Sequence, residues 1–150
     1  MGFDSTFNAF NISSSGLVAE RLRMEVVANN IANASVTRTP EGGAYRRKDV
    51  VFESLLGQNP FNPEGPFASS GFGGVAVAGI VEDPSELPRV FNEGHPDADQ
   101  DGFVTMPNVK LPIEMVNLIT ATRAYEANLK AAQTFSDMNQ QAIAVLKGQS

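Results

Sequence analysis

Asp97, Asp99, Asp101 and Gly102 are where this chain comes nearest to coordination chemistry. They match positions 1, 3, 5 and 6 of an EF-hand calcium loop, whose alternating carboxylates wrap a hard cation. Position 12 should be a bidentate Glu, but Asn108 stands there, preceded by Pro107, and Pro96 sits where the entering helix should end. A working EF-hand also buries two flanking helices. The better reading is an Asp- and Gly-rich turn between two short strands, with a calcium-binding module as the alternative. His95, the only histidine, lies between Gly94 and Pro96 and reads as a turn residue. No carboxylate dyad or nucleophile–base pair is placed to work with it.

Two further patterns dissolve on inspection. Gly71, Gly73 and Ala76 match G-x-G-x-x-A, but a dinucleotide fingerprint needs a strand before it and a helix after it. Here a loop precedes and the β-like run Val75–Val81 follows. Arg46-Arg47-Lys48 could suggest a phosphate patch, yet three cations in a chain of net charge −6 read as a solvated strand edge. The acidic balance argues against nucleic acid as a partner. Zero Cys excludes disulfides and thiol chemistry. The expectation is therefore no catalytic residue, no cofactor and no metal: not an enzyme.

The elements around these residues are more informative. After Pro112 no Pro or Gly occurs until Gly148. Met115, Leu118, Thr122, Tyr125, Leu129, Ala132, Phe135, Met138, Ala142 and Val145 recur at steps of three and four, one face of a long helix. Pro112 suits a first turn, and Glu114 suits its positive end. Such a helix is roughly 50 Å long, whereas a compact chain of this size is about 40 Å across. The helix is predicted to overhang its own domain.

At the other end, Phe3, Phe10, Leu17, Met24 and Ile31 repeat at seven-residue intervals, a heptad with strong a positions. Asn33 or Ala34 should end this arm, since Asn tolerates the left-handed C-terminal conformation. With Gly16 and a serine run inside it, the arm is a poor autonomous helix. It should order only against the C-terminal helix or another subunit. Between the ends, Gly and Pro concentrate. Residues 44–53 and Val75–Val81 read as strands, the second one buried, with Arg89-Val90-Phe91 as its hairpin partner and 57–74 as a mobile loop.

The expected fold is α+β, with long N- and C-terminal helices pairing as a coiled coil around a small β-rich insert. Its segments are an N-terminal arm over 1–34, the insert over 35–111 and the C-terminal helix over 112–147. The first nineteen residues lack Lys and Arg, so no signal-peptide n-region is expected. No run reaches the ~20 apolar residues of a membrane span.

Specific motifs extend this reading. The run Leu17–Leu22 through Val27–Ala34, with its core Asn29-Asn30-Ile31-Ala32-Asn33, resembles the N-terminal signature of bacterial flagellar rod and hook proteins. Thr37–Gly43 with Tyr45–Lys48 resembles the proximal-rod branch and departs from the Thr-Pro-Gly-Tyr junction of hook and distal rod. His95-Pro96-Asp97-Ala98-Asp99, Gly102-Phe103-Val104 and Met106-Pro107-Asn108-Val109 resemble a block of that same branch. Glu114–Ile119 and Arg123–Asn128, including Glu126, resemble the shared C-terminal block.

The resemblance implies a structural subunit of the basal-body rod, the shaft that crosses the periplasm, surrounds an export channel and transmits torque. Its partners would be copies of itself and other rod proteins, with the base ring and the export gate. It would leave the cytoplasm without a cleaved signal. The residues expected to carry assembly are Phe3, Phe10, Leu17, Met24, Ile31, Met115, Leu118, Tyr125, Leu129 and Met138.

Overall fold

A computed structural model describes residues 3–56 and 72–147. In chain order it contains helix α1 (Phe3–Ala32), strands β1 (Lys48–Leu56), β2 (Phe72–Glu82), β3 (Arg89–Phe91) and β4 (Phe103–Thr105), and helix α2 (Leu111–Lys147). β1 pairs with β2, and β3 pairs antiparallel with β4, Val90 opposite Val104. The architecture is two long helices with small two-stranded sheets between them, which agrees with the α+β expectation.

α2 runs for 37 residues without interruption, about 55 Å at 1.5 Å per residue. α1 stops where its own side chains take over the hydrogen bonding. The Asn33 backbone N–H and side-chain amide both donate to the Asn29 carbonyl, at 3.0 and 2.8 Å. The left-handed ending expected at Asn33 or Ala34 does not occur, because among the described residues only glycines have positive φ. The chain instead leaves the helix through a tighter turn, the Ala34 N–H donating to the Ile31 carbonyl at 3.3 Å.

Strand boundaries and partners differ from the sequence reading in three ways. β1 begins at Lys48; before it the Tyr45 N–H donates to the Val36 carbonyl and the Arg47 N–H to Asn108 Oδ1. β2 takes in Phe72–Gly74, the end of the expected 57–74 loop; the rest of that loop, 57–71, lies outside the described residues. β2 is not buried: Ile80 and Val81 are exposed, as a sheet of only two strands has no second layer over it. Arg89–Phe91 pairs with β4 rather than with β2, so Asp97, Asp99 and Asp101 form a turn between two short strands.

A glycine at an unspecified position inside the rejected nucleotide pattern has a structural use. Gly74 adopts φ +92° close against α1, where an added Cβ would collide with the Ser15 hydroxyl. That hydroxyl donates to the Ile12 carbonyl at 2.7 Å and accepts the Val75 N–H at 3.0 Å, pinning the start of β2 to the helix.

The chain divides into two compact units. The first gathers the described residues of 1–21, 52–78 and 122–150; the second gathers 22–51 and 79–121. The division cuts each long helix, so it follows packing rather than chain order. No helix among the described residues is long and apolar enough to cross a membrane.

Candidate assembly interface and the polar clasp beside it

The second unit is closed by a polar clasp centred on Asn30 and Glu114, both fully buried. The Asn30 amide donates to the Lys48 carbonyl at 2.8 Å and to Glu114 Oε2 at 3.0 Å. Its Oδ1 accepts the Lys48 N–H at 2.9 Å and the Tyr45 hydroxyl at 3.0 Å. Two donors and two lone pairs are thereby all used, which leaves this buried amide no desolvation penalty. The end of α1 grips the start of β1 as a neighbouring strand would.

Glu114, in the first turn of α2, completes the clasp. Its Oε1 accepts Arg47 Nε at 2.7 Å and the Asn117 amide at 3.4 Å. Arg47 also meets Asp49 and Asp83, at 3.1 and 3.6 Å. Burial works against the Arg47 charge, but its hydrogen bonds with Glu114 and Asp49 outweigh that and raise its pKa. Burial raises the Tyr45 phenol's pKa, helped by the negative charges of Glu114 and Glu82. Asn108 braces the far side: its Oδ1 accepts the Arg47 N–H at 2.7 Å and its amide donates to Ser85 Oγ at 2.9 Å.

This corrects the reading of Arg46-Arg47-Lys48 as a solvated edge. The Arg47 side chain is only 18% exposed, and Arg46 donates to the Asp83 and Ser85 carbonyls. Lys48 alone of the three is exposed. The Asp-rich turn is likewise absorbed by the fold. Asp97 accepts the Thr37 hydroxyl at 2.8 Å and faces Arg38, while the Asp97 N–H donates to His95 Nδ1. Asp99 accepts the N–H groups of Asp101 and Phe103 and pairs with Arg89. The Phe103 N–H foremost holds the Asp99 carboxyl below its ordinary pKa. Among the described residues no group of three or more His, Cys, Asp and Glu could hold a metal ion.

In the first unit, α1 and α2 meet through small residues. Gly16 lies so close to Asn128 that an added Cβ would stand 2.8 Å from its Nδ2. Ser13, Ala19 and Ala132 are buried. Leu17 follows Gly16, and Leu129 follows Asn128, so each large residue sits about 100° round its helix from the contact.

The exposures follow. Phe10, Met115, Leu129 and Met138 are exposed, Phe10 by 43%. Leu17, Met24, Ile31, Leu118 and Tyr125 are half-buried, and the side chain of Phe3 lies outside the described residues. The large residues flank the seam instead of filling it.

The motif residues scatter by role. Asn30, Asn108 and Glu114 meet in the clasp, Asn29 and Asn33 cap α1, and Asp97 and Asp99 organise the turn with His95. Pro107 is buried and Pro96 exposed; Asn128 is at the seam, with Arg123 and Glu126 exposed on the same helix. Tyr45, Arg47, Asp83 and Ser85 escaped sequence reasoning as clasp members. Their signal, an Arg amid acidic partners far along the chain, is invisible locally.

Comparison with known proteins places this arrangement. Residues 10–38 match the family described as "Flagella basal body rod protein", and residues 100–145 match "Flagellar basal body rod FlgEFG protein C-terminal". The flagellar basal-body rod protein FlgC of Borreliella burgdorferi is 42% identical, over 95% of this chain and 98% of its own. The FlgC of Yersinia enterocolitica is 42% identical over 87% of this chain and 90% of its own. That of Bacillus subtilis is 36% identical over 95% and 99%. These relatives are structural components rather than enzymes, and the chain belongs to the FlgC family of flagellar basal-body rod proteins.

Proposed function

We infer that this rod subunit polymerises through the outer flanks of its two long helices. One observation carries the reading: the chain uses small residues for its own helix seam and leaves Phe10, Met115, Leu129 and Met138 exposed. Helices of neighbouring subunits would cover these residues, so that paired terminal helices form a coiled-coil layer of a helical shaft. The close approach of Gly16 to Asn128 supports pairing of α1 with α2 within each subunit. A repeated contact between unlike surfaces extends without closing, as a rod requires.

In this reading the shaft crosses the periplasm around an export channel and transmits torque, its stiffness coming from interdigitated side chains that repack discretely. Its subunits leave the cytoplasm without a cleaved signal, and its neighbours are copies of itself, other rod proteins, the base ring and the export gate. The Phe10→Asp/Leu129→Asp double variant tests it. The expected result is a normally expressed, folded subunit, no completed rods in basal-body preparations and no swarming. Normal swarming would contradict the reading.

A further inference from the structure

Two exposed apolar patches on the second unit have opposite electrostatic settings, and we propose that they dock against each other between successive copies of this chain. This rests on the assembly reading above but, Met115 apart, uses different residues. The first patch is the start of α2. Leu111, Met115 and Ile119 form an i,i+4 row, Val116 lies one i,i+3 step from Ile119, and Ile113 falls on the far flank; all five are exposed, Val116 by 62%. The only acid between residues 110 and 121, Glu114, is turned inward to Arg47, so the exposed charge of this ridge is Lys110.

The second patch is the β3–β4 hairpin. Phe91 is 59% exposed and meets Phe103 edge to face, with ring centroids 5.4 Å apart; Thr105, opposite Arg89, shares that face, whereas Val90 lies on the other face with Val104. Arg89 lies over the Phe103 ring and is engaged by Asp99. The exposed acids Glu93 and Asp101 give the rim a negative balance.

An apolar ridge with a cationic end fits an aromatic patch with an anionic rim. Each patch thus meets the other kind rather than its own, and such a contact between unlike faces, repeated from copy to copy, extends as a rod requires.

The chain contains no Cys, so single introduced thiols report contacts without background. Thr105→Cys and Val116→Cys full-length chains would be mixed at assembly-competent concentration and oxidised, with helicity checked by circular dichroism and association followed by sedimentation. The proposal expects a Thr105→Cys/Val116→Cys disulfide in several-fold excess over either self-pairing. Lys110→Glu should weaken association about two- to fivefold, the size expected of an exposed ion pair, and Asp101→Lys should restore it. Predominant self-pairing, or a closed dimer that grows no further with concentration, would overturn the proposal in favour of a two-fold contact. Association without cross-linking would overturn it and leave the helix-flank reading standing. A chain monomeric at every concentration would overturn both.

Discussion

The two units of this subunit solve the same problem in opposite ways. The second seals itself with polar chemistry: Asn30 makes four hydrogen bonds, and Glu114 is tied to Arg47 and Asn30. The first brings its helices together where Gly16 meets Asn128, with Ser13, Ala19 and Ala132 buried, and leaves Phe10, Leu129 and Met138 exposed. A directional network specifies one geometry and needs no neighbour. A small-residue seam permits close approach but buries little apolar surface, so much of the favourable free energy is left for contacts yet to be made.

Breaking the clasp should have the largest effect on the isolated chain. Glu114→Ala removes the closest partner of a largely buried guanidinium, which keeps Asp49 and Asp83, and it unpairs one buried Asn30 N–H. A loss of about 3 kcal/mol in unfolding free energy is expected. Urea denaturation with tryptophan-free probes such as circular dichroism would measure it. A loss below 1 kcal/mol would show that the clasp is ornamental. Gly16→Leu attacks the seam instead: the new side chain collides with Asn128, and overpacking of this kind costs about 1–3 kcal/mol. The loss should be smaller than for Glu114→Ala and confined to melting of the helix ends.

The smallest effect is pH dependence. Backbone N–H groups, foremost that of Ser85 for Asp83 and that of Phe103 for Asp99, depress these two carboxyls. Their contribution to stability is present above the unfolded carboxylate range of about 4 and is lost as pH falls through the depressed native values. Tyr45 has the opposite sign. Its raised pKa gives a contribution that is full below about 10 and is lost as pH rises through the native value. Thermal melts should therefore show a plateau at neutral pH with shallow losses at both ends, and Asp99→Asn should flatten the acid limb.

How much of this was legible beforehand depends on the range of the interaction. α2, expected from Pro112 to residue 147, runs from Leu111 to Lys147, because an unbroken three-and-four spacing without Pro or Gly is a local signal. The helix faces were less legible. Periodicity weights large residues, so it picked out Phe10, Leu17, Met24 and Ile31, whereas close helix approach favours Ser13, Gly16 and Ala19.

The clasp was hidden altogether as a site. Motif resemblance marked Asn30, Asn108 and Glu114 without saying that they meet. Arg47 looked solvated because its buried partner, Glu114, lies 67 residues away in sequence. The Asp-rich turn was read correctly for a related reason: its hydrogen bonds are short-range, and the missing twelfth ligand was visible in the sequence.

Hydrogen exchange on the subunit, alone at high dilution and then within assembled rods, tests the central claim most directly. The account predicts that amides around Asn30, Lys48 and Glu114 are protected in both states. Those of 9–21 and 122–145 should exchange quickly in the isolated chain and become protected in the rod. Equal, strong protection of both regions in the dilute monomer would contradict it, because the long helices would then be finished without neighbours.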